Sequence, residues 1–113
     1  MLTKSKVLPI TLFFGAVLVL HADIVVDKDT DAYLKEKNGT KIVNIATPTK
    51  KGVSHSKFKD FSVDKNGAVI NNKYEDSRSE LINDTVEGNK NLKEGVAKVA
   101  LFDVTGQNKS ELK

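Results

Sequence analysis

His55 stands between Ser54 and Ser56, and a hydroxyl beside an imidazole is the pairing from which a nucleophile and its base are built. Adjacent residues of an extended chain point to opposite faces, and no third group is placed to orient the ring. His55 therefore reads as a loop histidine, not half of a catalytic pair. The chain holds no Cys, which removes thiol nucleophiles, disulfides and thiolate metal sites. His21 and His55 are its only histidines, too few for a histidine metal centre. No Gly-rich loop opens a helix, so no phosphate cradle is expected. Asp and Glu are interspersed with Lys, as on a solvated face. The expectation is no enzyme, no cofactor and no metal. The formal net charge is +3, from 18 Lys and Arg against 15 Asp and Glu. Two of those lysines, Lys4 and Lys6, belong to the N-terminal stretch, and the remainder is nearly balanced. A nucleic-acid binder concentrates its basic residues, so nucleic acid is not an expected partner.

Asparagine is the residue type whose placement carries most information. It recurs at Asn38, Asn44, Asn66, Asn71, Asn72, Asn83, Asn89, Asn91 and Asn108, often where an apolar run ends. Its side chain bonds the nearby backbone and tolerates the left-handed region. Asn66-Gly67 is a strong turn signal, and Asn71-Asn72 marks a second turn. Stacked coils of parallel sheet can use such residues at their corners, where backbone groups leave the ladder and need partners. Asn38-Gly39-Thr40, Asn83-Asp84-Thr85 and Asn108-Lys109-Ser110 match the glycosylation pattern, as chance allows in a chain so rich in Asn, Ser and Thr.

The elements that must position these residues are mostly strands. Residues 1–22 read as a secretory signal peptide: a basic start through Lys6, an apolar run over residues 7–20 broken only by Thr11, and Ala22 before the cut. That run is shorter than the roughly 20 residues of a membrane-spanning helix. Export follows, with Asp23 as the mature N-terminus. Beyond it, Ile24-Val25-Val26, Ile42-Val43-Asn44-Ile45 and Ala68-Val69-Ile70 are β-branched runs. Phe58, Phe61 and Val63 precede the Asn66-Gly67 turn. Residues 96–104 place apolar side chains on both faces, so both are expected to be buried. Asp29–Lys37 and Ser77–Ile82 are the weak helix candidates, and residues 72–79 are expected to loop. Short strands separated by Gly and Asn turns give an all-β chain. Its 113 residues allow one domain at most.

Several short blocks, in order, resemble the start of the secretion domain of filamentous haemagglutinin-type exoproteins of two-partner secretion systems. They are Asp23-Ile-Val-Val-Asp27, Asn38-Gly-Thr-Lys-Ile-Val-Asn-Ile45, Gly52-Val-Ser-His55, Phe58 with Phe61-Ser-Val63, and Asn66-Gly-Ala-Val-Ile-Asn-Asn72. Gly88-Asn-Lys-Asn-Leu92, Ala97-Lys-Val99 and Val104-Thr-Gly106 with Asn108 and Ser110 complete them. The resemblance implies an N-terminal cap and the first coils of a right-handed parallel β-helix, truncated at residue 113. Residues 23 to about 45 would supply cap strands, and Phe58 to Val104 the first coils. It also implies a partner: the periplasmic domains of an outer-membrane β-barrel transporter. The chain would pass through the periplasm, be secreted or reach the cell surface, and nucleate folding there. A host-cell surface is a partner only for longer relatives. The family's Asn-Pro-Asn-Leu motif, needed for secretion, appears as Asn89-Lys90-Asn91-Leu92, with Lys in place of Pro. Asn89, Asn91 and Leu92 are thus the candidate functional residues, for transporter contact or for folding. Asn66, Gly67, Asn71 and Asn72 are the candidate structural turns. Family domains run to well over twice this length, so two other readings stand beside this one. One is a truncated, inactive fragment. The other is an unrelated periplasmic binding protein.

Overall fold

The computed structural model describes residues 23–106. The leader expected at 1–22, and Asn108 and Ser110, lie outside them. The described chain is all-β, with eight strands and one 3-10 turn. The strands are β1 (Ile24–Val26), β2 (Tyr33–Lys37), β3 (Thr40–Asn44), β4 (Val53–Phe61), β5 (Ala68–Asn71), β6 (Ser77–Ser79), β7 (Asp84–Val86) and β8 (Val99–Val104).

Two parallel pairings define the architecture. Strand β5 lies parallel to β3, from Lys41↔Ala68 to Asn44↔Asn71. Strand β8 lies parallel to β4, from Val53↔Val99 to Phe58↔Val104. Strands β3 and β4 thus form one coil, and β5 and β8 repeat it one layer on. Strands that leave and return parallel take the right-handed crossover almost always. The first coil turns its corner with residues 45–52. The second uses residues 72–98, which hold the β6–β7 hairpin and the 3-10 turn.

The N-terminal strands close the first coil. Strand β1 pairs antiparallel with β4, with a bulge between Val25 and Val26. Strand β2 pairs antiparallel with β3. The two three-stranded sheets are ordered β1-β4-β8 and β2-β3-β5. Cap and coil divide earlier than expected. Strand β3, placed by sequence among the cap strands, belongs to the first coil because β5 stacks on it.

The β2–β3 hairpin replaces the helix expected over Asp29–Lys37. Asn38 and Gly39 both have positive φ, 53° and 80°, the backbone of a two-residue hairpin turn. Lys37↔Thr40 closes it. The other helix candidate also fails: Ser77–Ser79 is β6, paired with β7. That strand also ends the loop expected over residues 72–79.

The core lies between the two sheets. Ile24, Val43 and Phe58 are buried together, with Val26, Leu34, Phe61, Ala68 and Phe102 against them. The Phe58 ring meets Phe61 edge-on at 4.9 Å and Phe102 at 5.2 Å. Burial of each such side chain stabilises by about 1.5–3 kcal/mol. A second cluster, Ile42, Ile82 and Val86 with Val69, packs the hairpin on the outer face of β2-β3-β5. Lys35–Glu87 and Lys37–Asp84 ion pairs, 3.1 and 3.6 Å, border it.

Strand β8 departs from the expected double burial. Val99 and Leu101 are 47% and 50% exposed, because they lie on the outer face of β1-β4-β8, which is open at the neighbouring His55 of β4 as well.

Candidate functional site

The chain beyond β3 leaves the ladder, and its buried backbone groups need other partners. Side-chain amides and hydroxyls supply them. Ser54 Oγ donates to Ala46 O at 2.7 Å, and Ala46 N donates to Ser56 Oγ at 3.0 Å. Both serines point inward from β4 and are fully buried. Their hydroxyls therefore face away from His55, which is in β4 and not in a loop. His55 lies on the exposed outer face, with Nε2 3.4 Å from Asp103 Oδ2. Ser and His cannot act together from opposite faces.

Asn89 is the centre of the corner. Its backbone is extended, φ −84° and ψ 114°, and it caps the 3-10 turn Lys90–Leu92. Asn91 N donates to Asn89 Oδ1 at 2.9 Å. Asn89 Nδ2 donates to Ile45 O and to Asn71 O, each at 3.0 Å. Ile45 follows β3 and Asn71 ends β5, so one buried amide joins the corners of both coils. Asn89 N donates to Lys73 O at 2.7 Å. Such groups, shut away from water, must be paired.

Asn91 extends the grip to the cap. Its Nδ2 donates to Asp31 O at 2.9 Å and to Ile45 O at 3.0 Å. The Asp31 carboxylate accepts from Thr47 N and Thr47 Oγ1, at 2.9 and 2.5 Å. Leu92 is 1% exposed and packs with Ile45 and Ala97, with Phe102 alongside. The three candidate residues are therefore brought together, two by hydrogen bonds and one by apolar contact.

Asn71 and Asn72 belong to this corner as well. Asn71 Nδ2 donates to Asn44 Oδ1 at 2.8 Å and to Glu87 O at 2.9 Å. Asn44 and Asn71 are register partners, so the two amides stack along the coil direction. Asn72 Oδ1 accepts from Ala97 N at 2.8 Å, and its Nδ2 donates to Ala97 O at 2.9 Å. That side chain stands in for a strand neighbour. Asn66 and Gly67 lie apart, in the turn between β4 and β5. Gly67 N donates to Asp64 O at 3.0 Å. The left-handed backbone falls on Gly67, φ 73°, and not on Asn66.

Sequence reading offered Asn44 with the other asparagines but missed Ser54, Ser56, Asp31 and Tyr33 as corner residues. The alternation of Ser54, Ser56 and Phe58 was the available signal for the serines. Asp31 and Tyr33 gave none, since their partners lie far along the chain.

Three charged groups are perturbed at the periphery. The Asp27 carboxyl is held below its ordinary value by the Thr105 hydroxyl and the Asp29 N–H. Asp84 is lowered by the Thr85 N–H and by nearby Lys37. Lys41 is raised by its hydrogen bond and charge pairing with Glu36. Among the described residues, no group of three or more His, Asp or Glu could hold a metal ion.

Comparison with known proteins gives this corner its setting. A family model described as the TPS secretion domain matches residues 22–113. The chain is 40% identical over 79 residues to a 16S rRNA endonuclease CdiA of Enterobacter cloacae, covering 69% of this chain and 2% of that protein. It is 40% identical over 74 residues to a hemolysin of Proteus mirabilis, covering 66% of this chain and 5% of that one. The chain thus spans a few per cent of these relatives, and their nuclease and hemolysin names describe the longer proteins. The crystal structure of a filamentous hemagglutinin secretion domain matches with a TM-score of 0.62 and 36% identity, over 74% of this chain and 27% of that one. With the capped parallel coils, these matches establish that the chain belongs to the TPS secretion domain family.

Proposed function

We propose that this domain directs a longer exoprotein through two-partner secretion and does no catalysis of its own. The leader at 1–22 takes the chain across the inner membrane. The periplasmic domains of an outer-membrane β-barrel transporter then receive it. Outside, the domain starts the β-helix and closes its N-terminal end. The chain is secreted or held at the cell surface.

Within that reading, Asn89, Asn91 and Leu92 act by shaping the fold. The observation that carries this is the burial of Asn89, 0% exposed, while its amide bridges Ile45 and Asn71. A side chain without exposed surface has nothing to offer a partner while the domain is folded. Transporter contact by Asn89 or Leu92 therefore requires the unfolded chain, whereas Asn91 is half-buried and keeps some surface in the folded domain. Asn66, Gly67, Asn71 and Asn72 serve as structural turns and corner fasteners.

The test is paired secretion and stability measurement on Asn89→Ala and Asn91→Ala, expressed with and without a cognate transporter. Transporter-dependent export should fall together with folding stability. Loss of export in variants of unchanged stability would reject the folding role and support direct contact. Wild-type chain that stays in the periplasm with the transporter present would reject this segment as a sufficient secretion signal.

A further inference from the structure

Lys90 is the first residue of the 3-10 turn and its side chain is exposed. The backbone N–H at such a position has no partner inside the turn, which is why proline is favoured there. Here that N–H has one: Lys90 N donates to Tyr33 Oη at 2.9 Å. Tyr33 opens β2 and pairs with Asn44 across the hairpin. Two residues earlier, Asp31 O accepts from Asn91 Nδ2. The segment Asp31–Tyr33 therefore holds the turn at two successive residues.

We infer that Tyr33 is a positioning residue for the Asn89–Leu92 turn, and that its hydroxyl does at position 90 what a proline ring would do. Either device fixes the start of the turn. The ring restrains φ covalently, and the hydroxyl restrains it through a hydrogen bond that proline cannot make. The local backbone would accept the ring. Asn89 is already extended, as a residue before proline must be, and a 3-10 φ is close to the proline value. The inference ties a cap residue to a turn more than fifty positions later. Its link to export rests on the proposed role of the Asn89–Leu92 turn. Its link to the turn's stability does not.

A double-mutant cycle tests it, with Tyr33→Phe, Lys90→Pro and the pair, read by urea denaturation and by transporter-dependent secretion. Tyr33→Phe keeps the ring and removes only the hydroxyl. Loss of one such bond should lower the folding constant about fivefold in the wild-type background. In the Lys90→Pro background the same substitution should change it less than about twofold, because no N–H remains to bond. The Lys90→Pro change alone should be close to neutral, the restrained φ offsetting the lost bond. Equal loss from Tyr33→Phe in both backgrounds would overturn the inference. So would no loss in the wild-type background. If the cycle couples while secretion is indifferent to all three variants, Tyr33 positions the turn and the proposed role of the turn in export fails. If secretion follows the cycle, both hold.

Discussion

Replacing Asn89 with Ala removes three hydrogen bonds at once, and the structure says which partners are left alone. Ile45 O loses Asn89 Nδ2 but keeps Asn91 Nδ2, at 3.0 Å. Asn71 O loses its Asn89 donor, and Asn91 N loses its Asn89 acceptor. Two backbone groups are thus orphaned. Each buried orphan costs about 1–3 kcal/mol. Asn91 is only half-buried, so water can reach its amide, and a loss of about 2–4 kcal/mol is expected. That is a large share of the roughly 5–15 kcal/mol that holds a domain together. The assay is urea denaturation of the purified chain by circular dichroism, with Asn66→Ala as control. Asn66 is exposed, and its loss should cost less than about 0.5 kcal/mol. An Asn89→Ala chain no less stable than Asn66→Ala would refute the account of the corner.

Other perturbations discriminate as sharply. Leu92→Ala should cost about 2–5 kcal/mol in the same assay, since it empties a buried site beside Ile45 and Ala97. Gly88→Ala should prevent native packing, because a Cβ there would stand 1.7 Å from Tyr74 O. Wild-type melting of that variant would contradict the close approach. The Asp27 carboxyl is depressed below its ordinary 3.8, so its contribution is present above that value and lost as pH falls through the folded value. Asp27→Asn should therefore flatten the acid limb of stability below about pH 4, seen in melts across pH. His55→Ala should change stability by at most about 1 kcal/mol, because its pairing with Asp103 is solvent-exposed.

The β-branched runs announced β1, β3 and β5, and the apolar run at 96–104 announced β8. Each holds its own strand signal locally. Strand β2 was hidden because Tyr33-Leu-Lys-Glu-Lys37 is composed largely of helix-forming residues. Its pairing with β3 overrides that preference, through a turn at Asn38-Gly39 that the sequence displays plainly. The first half of β4 was hidden by Ser54 and Ser56. Polar residues on an inward face break the expected alternation, and only the Ala46 peptide inside the coil explains them. The burial of Asn89 was equally illegible. Its partners lie 44 and 18 residues away, and no local pattern reports such a distance. The exposure of β8 shows the converse. Apolar residues on both faces predicted two covers, and the outer face of β1-β4-β8 has none over Leu101 or its neighbour His55.

The antiparallel cap makes the two ends of the coil stack unlike. At one end β5 and β8 run as their predecessors do, so the edges repeat the layer spacing and direction. At the other, β2 and β1 run the opposite way, and the β1–β4 pairing is interrupted by a bulge that leaves Lys59 of β4 unpaired. Bulges and edge lysines, such as Lys35 and Lys37 here, discourage strand addition. Two copies placed head to tail would set a forward edge against a reversed one, and the repeat would stop at the joint. Head-to-tail contacts that do not close are the route to open filaments. The cap is thus a chain terminator in the polymer sense: it gives layer growth a direction and denies neighbouring molecules a template.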